Sequence, residues 1–517
     1  MLRSATISRA ATSALTNSAF SWKFGRNIER SLNCVMRLPR ILASVYWSYN
    51  FRWGLFTPPL LGKVGQARMT TTRSNYSFFL GAVAAMAATV LMLGLLAGRA
   101  AHAETTFAVT NTDDSGEGSL RQAITNANAN PGADTITFNI PASDTGCDSA
   151  SGVCTISPAT NLPTITDTVT IDGYTQPGSQ PNTLASGDDA VLQVELDGSN
   201  AGIASGLSLL GPDSSGSDSS NSVIRGLVIN NFHVTGISAG GTGNTIEGNF
   251  IGTDPSGTEK EGNFYGVEVA GANNLVGGTS PAARNIISGN GENGILIGPD
   301  FDRNSLSRNK VWGNYIGTQK DGTKPLGNAS RGVWVWGSSG NTIGGLKSEK
   351  ANKIAYNRFQ GVTIQEFTAD SIPANGNRVL RNSIHSHGEL GIDLEGDGPT
   401  PNDNKDRDDE GSNTLQNKPN LASAMTTGTK ITIQGTLRST PNDSFTIRLF
   451  SNRADERRGY EGRTYLGTKS VSTDANGEVT FTKSLSTKVN VGQRITATAT
   501  GPGGTSEFSA PQKVVEQ

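Results

Sequence analysis

Asp393 and Glu395 stand two residues apart in "GIDLEGDG". In an extended strand, alternate side chains share a face. Two carboxylates at i and i+2 on one face would sit several ångströms apart, as the acid and the base or nucleophile of a glycosidase do. His385, His387 and Glu389 lie just upstream, and Arg378 and Arg381 could supply a cation. A polysaccharide lyase would need a basic residue of that kind beside carboxylates on Ca²⁺. The competing reading is a solvated acidic edge on the last strand before a linker. "HSH" has His-x-His spacing for a metal but no firm third ligand, and two exposed loop histidines are the plainer reading.

A second pair could bind rather than react. In "RGVWVWGSSGNTIGG", Arg331 to Gly345, Val333 and Val335 fall on one face of a strand and Trp334 and Trp336 on the other. Valines suit a core. Two tryptophans on the wet face suit the flat faces of sugar rings. Their alternative partner is the protein itself, through the Lys320–Arg331 loop or the C-terminal region. A third cluster, Asp406-x-Asp408-x-Glu410-Gly411, sets oxygens at alternate positions before a glycine, with Asn402, Asp403 and Asn404 beside it. Calcium takes six to eight oxygens from such loops, although this one lacks the length and final Glu of an EF-hand. A solvated acidic linker is the alternative. No Ser-His-Asp order, P-loop or dinucleotide fingerprint is present.

The elements that carry these residues repeat. Gly followed by apolar-x-apolar recurs as "GISA" at 236, "GVEV" at 266, "GILI" at 294, "GVWV" at 332, "GVTI" at 361 and "GIDL" at 391. The spacings are 30, 28, 38, 29 and 30 residues. Asn-x-apolar recurs beside it, at 244, 273, 309, 341, 352 and 377. Short β runs broken by Gly and Asn at a near-constant period describe a parallel β-helix. Gly and Asn tolerate left-handed corners, and stacked Asn side chains can bond along a ladder. In such a solenoid, equal phases on successive coils stack about 4.8 Å apart. Outward positions then form one line: Glu268, Leu296, Trp334 with Trp336, Thr363 with Gln365, and Asp393 with Glu395. Substrate contacts are expected from Trp334, Trp336, Glu268 and Gln365, and acid–base work from Asp393 and Glu395.

"GSLRQAI…NPGADTITF", "GNYIGT", "NIISGNGENGILI" and "GIDLEGDG…NTLQNKP" resemble the bacterial secreted right-handed β-helix repeat proteins, over roughly 105–420. Their N-terminal module is named for a Cys-Ser-Leu-Arg-Glu-Ala motif. Gly118 and Gln122 stand here where that name has Cys and Glu. The resemblance implies a right-handed single-stranded parallel β-helix, akin to the pectin-lyase-like fold. It implies no particular function.

The ends complete the plan. Ser119-Leu-Arg-Gln122 reads as a capping box, and Leu120, Ala123, Ile124 and Ala127 as the apolar stripe of a helix over the solenoid's open end. The expected layout is this cap over 104–160, the β-helix over 161–398 and an acidic linker over 399–420. Short alternating strands over 421–517 suggest a small antiparallel, immunoglobulin-like β-sandwich. The apolar run Phe78 to Gly98, followed by Ala101-His102-Ala103, reads as a signal peptide over 69–103, with an uncleaved anchor as the alternative. Residues 1–68 read as a non-native upstream extension, or as an organellar leader. The first 103 residues carry 12 of the chain's 43 Lys and Arg and one of its 45 acids. That leaves 31 basic against 44 acidic residues, about −13. Such a surface argues against nucleic acid and suits a secreted or cell-surface protein whose partner is a polysaccharide or surface glycan, with no membrane contact after cleavage. In an exported protein Cys147 and Cys154 read as a small loop disulfide. Binding, polysaccharide modification and a structural or adhesive role all remain open at this point.

Overall fold

Each apolar-x-apolar triplet sends two side chains inward and one outward. A chain that turns after every triplet can stack these faces on the coil before. The computed structural model has this form. It describes residues 104–517 except 213–215, 300–306, 370–371, 409 and 457–458. The leader and its cleavage site after Ala103 lie outside the described residues.

Three all-parallel sheets run the length of a right-handed β-helix. The first has nine strands, from Thr106–Val109 to Arg378–Val379. The second has eight, from Cys154–Ile156 to Ser383–His385, and the third seven, from Leu207–Leu209 to Ile392–Leu394. Parallel pairing thus begins well before residue 161. All six Gly triplets fall on the third sheet. Their first apolar residues, among them Val267, Ile295, Val333 and Val362, stack in register and are fully buried. Each such side chain contributes about 1.5–3 kcal/mol by leaving water. The Asn units divide: five precede first-sheet strands, but Asn352 precedes Lys353–Ala355 on the second. The same motif serves two corners because both need the same hydrogen bonds.

Those bonds make three asparagine ladders, one at each corner. In the second-sheet ladder, Asn249, Asn285, Asn314, Asn352 and Asn382 each present Oδ1 to the backbone N–H one coil back, at 2.9–3.3 Å. The first-sheet ladder runs from Asn244 to Asn377 and ends on Asn413, so part of the stretch read as linker is the ladder's last rung. Most ladder asparagines have ordinary negative φ. Their selection is for hydrogen bonding, not for left-handed backbone. The triplet glycines likewise answer to space: a Cβ on Gly332 would lie 2.6 Å from the Gly361 carbonyl.

Helix α1 (Leu120–Ala129) closes the N-terminal end, burying Leu120, Ala123, Ile124 and Ala127. Only half of the capping box forms. Ser119 Oγ accepts from Gln122 N, while the Gln122 side chain donates to Asn126. Cys147 and Cys154 are joined as a disulfide. At the other end, a sandwich of four- and five-stranded sheets follows, from Asn420–Thr426 onward. Its strands pair antiparallel except for one short parallel pair at the C-terminus. It docks on the last coil of all three sheets. Thr505 N donates to Asn377 O, Gly462 exchanges two bonds with Ile384, and Gly391 N donates to Tyr460 O, all at 2.8–3.0 Å. The exposed sheet edges are thereby paired, and Phe450 and Phe508 continue the solenoid's core into the sandwich.

Candidate functional site on the third sheet

The outward line falls in the expected register. Glu268 pairs with Leu296, Leu296 with Trp334, Trp334 with Thr363, and Thr363 with Asp393, while Trp336 pairs with Gln365. From Glu268 to Asp393 it spans four coil steps, about 19 Å at about 4.8 Å each.

Trp334 and Trp336 are half-buried and stack on one another, with centroids 4.8 Å apart and planes 21° apart. Phe367 meets Trp336 edge-on at 4.8 Å. Arg331 lies over Trp334 at 4.8 Å, a contact worth about 0.5–2 kcal/mol. The Trp334 indole N–H has no acceptor among the described residues. Of the Lys320–Arg331 loop, only its last residue, Arg331, is seen against the pair. The loop's start stacks on the earlier 253–261 loop, through Lys320 N to Gly257 O and Gln319 Nε2 to Thr258 O.

Arg331 and Gln360 were not among the residues singled out by type. Both precede a triplet glycine, and the position repeats as Tyr265, Asn293, Arg331, Gln360 and Leu390. Its backbone stacks coil on coil: Gly294 N donates to Arg331 O, Gly332 N to Gln360 O and Gly361 N to Leu390 O. The side chains of Arg331 and Gln360 each reach one coil onward. Arg331 Nε donates to Thr363 Oγ1 at 3.1 Å, and Gln360 Nε2 to Asp393 Oδ2 at 3.1 Å. The repeat itself was the signal; the residue before the glycine reads as turn unless the coils are stacked.

Asp393 faces outward yet is 1% exposed. Burial pushes its carboxyl up to about 6, against the hydrogen bonds from Gln360 and Gly398. Glu395 leaves the strand in a left-handed conformation (φ 69) and accepts from Ser412 N. The two carboxylates therefore have separate partners. Burial also raises Glu268, which accepts from Ser238 Oγ at 3.3 Å. Gln365 stays half-buried beside the Trp336 rung.

The upstream candidates disperse. His385 and His387 are buried, 5% and 8% exposed, not loop residues in solvent. His387 replaces asparagine as the last rung of the third corner ladder, its Nε2 donating to Ile354 O. Burial pushes its pKa down to about 4. His385 lies near Arg463 and is likewise depressed by burial. Arg381 stacks over Tyr465 of the sandwich, and Arg378 sits on the first sheet, away from Asp393. Arg331 is the cation on the third sheet instead. In the linker, Asp406 and Asp408 cluster with Asp403, while Glu410 lies near Glu366. Asp403 and Asp406 already accept from Arg407 N, Asn417, Gln416 and Ser439. Any cation would have to share these oxygens.

No family model matches the chain, and no curated protein matches it. Solved structures that match include phage tailspikes. The enzymatically active domain of bacteriophage CBA120 tailspike protein 4 is 9% identical, with a TM-score of 0.19, over 76% of this chain and 66% of that one, just under two thirds. The corresponding domain of tailspike protein 2 is 9% identical, TM-score 0.20, over 76% and 68%. Full-length tailspike protein 2, from an Escherichia coli O157:H7 bacteriophage, gives 8%, 0.19, 73% and 62%. Likenesses this slight carry no functional argument. Among the described residues, no helix is long and apolar enough to cross a membrane.

Proposed function

We propose that the protein is exported and binds polysaccharide at a cell surface, along the outward face of the third sheet. The observation that carries this reading is the Trp334–Trp336 stack, half-buried on a regular outward line, with Thr363 and Gln365 on the next coil and Glu268 two coils back. Stacked indoles offer an apolar ledge, and Glu268, Gln365 and Arg331 offer bonds to hydroxyls beside it. Calcium, if the protein takes it up, would be held by Asp403, Asp406 and Asp408, and no step proposed here involves it.

A glycan array covering neutral, amino and acidic polysaccharides tests the reading. Retention on at least one class is expected, and Trp334→Ala with Trp336→Ala should abolish it. Unchanged retention by the double variant would move the site elsewhere, and no retention at all would refute glycan binding. Cleavage is a second reading, favoured by Asp393, whose buried carboxyl near 6 could give up a proton to a leaving oxygen. Reducing-end and unsaturated-product assays on the same panel separate it from binding alone.

A further inference from the structure

The line ends in a cleft. Where the last coil meets the sandwich, Gln360, Glu389, Asp393, Asp397, Gly398 and Tyr460 bound a space of about 540 Å³. Its polar side chains are mostly acceptors. Three are carboxylates, Glu389, Asp393 and Asp397; behind them Asp393 also feels one further carboxylate, Glu507, which is itself paired with Lys418 at 2.7 Å. Gln360 is 3% exposed, and its Oε1 has no donor among the described residues. Turning the amide over would set that oxygen against the Asp393 carboxylate, so the orphan acceptor is built in. Leaving a buried acceptor unmet costs about 1–3 kcal/mol. Arg331 adds one positive charge that acts on Asp393 and Glu389, but its hydrogen bond goes to Thr363 and its face to Trp334, so one cation stands against three carboxylates and Gln360 Oε1 gains no donor from it.

One unmet buried acceptor beside three carboxylates calls for a ligand rich in donors. We propose that this cleft takes a sugar residue carrying a free, protonated amine, a hexosamine at the end of the bound chain. The proposal rests on the glycan reading above and names the substrate class. An ammonium brings three donors and a charge that matches Glu389, Asp393 and Asp397. A uronate would bring a further carboxylate, and N-acetylation would remove the charge. The position is terminal because Tyr460 closes the axis beyond Asp393, its carbonyl bonded to Gly391 N at 3.0 Å.

The protein is titrated calorimetrically near neutral pH with glucosamine oligosaccharides, N-acetylglucosamine oligosaccharides of equal length, and oligogalacturonates. Free-amine chains should bind at least about tenfold tighter than N-acetylated ones, about 1.4 kcal/mol, and oligogalacturonates should not bind. Glu389→Gln with Asp397→Asn, both outside the core, should bring the free-amine to N-acetyl ratio toward one. Equal affinities in the unaltered protein, or a ratio untouched in that variant, would overturn the amine specificity and leave the Trp platform standing. An amine preference that survives Trp334→Ala with Trp336→Ala supports the cleft and overturns the platform. No binding by any of the three sugars overturns both.

Discussion

Asp393 shows how a residue can be placed by the repeat yet differ in state from what its type suggests. Its phase put it on the outward line, and the register agrees. Its burial was not legible, because the residues that cover it come from the turn at 396–398 and from another coil. Its carboxyl is raised from an ordinary 3.8 to about 6. The charged form therefore costs stability above pH 6, and that cost fades as pH falls toward the ordinary value. Asp393→Asn removes the charge and offers Gln360 Oε1 a donor. Urea denaturation near neutral pH should find this variant more stable by about 1–3 kcal/mol, with the gain gone by about pH 4. A variant less stable at neutral pH would show that the carboxylate itself holds the turn. Glu395 shows the opposite lesson: phase predicts a face only while the strand lasts, and the left-handed backbone at φ 69 ends it.

At the scale of elements, the Gly triplets and Asn units were legible because each coil imposes the same demand at the same place. Which corner an Asn serves was not, since all three corners ask for an acceptor toward one coil and a donor toward the next. Asn290 illustrates the demand. It accepts from Asn263 N and donates to Ile251 O and to Asn328. Asn290→Ala leaves those groups buried and unmet, and should cost about 2–4 kcal/mol in urea denaturation. A loss under about 0.5 kcal/mol, the usual range for a surface change, would mean that water replaces the rung. His387 holds the same position three coils later. Its pKa in the fold is about 4 against an ordinary 6.5. The stability it lends is complete above 6.5 and is lost as pH falls from there toward 4. His387→Asn continues the ladder without that proton, so its advantage over the unaltered chain should grow across the same window in pH-resolved denaturation. An advantage constant with pH would contradict burial of a neutral imidazole.

The described residues form one solenoid closed at both ends. The helix cap was legible, because a lone amphipathic segment ahead of many strands has few other uses. The sandwich's second role was not, because strand alternation tells which side of a sheet is buried but not what docks on it. Its loops pair the last strands of the parallel sheets, and Phe508 sits in the solenoid's core cluster. Removing residues 399–517 should expose those edges, and parallel edges recruit other chains. Size-exclusion chromatography of the truncated protein should show aggregates, whereas a stable monomer would make the sandwich an independent attachment.

A glycan lying on the Trp334–Trp336 ledge would take water from the two indoles. Tryptophan emission during titration with the polysaccharide retained on the array tests this placement most directly. A saturable blue shift is expected, absent from a Trp334→Phe, Trp336→Phe double variant that still stacks on sugar. Saturation without any shift, or an undiminished shift in the double variant, would contradict it.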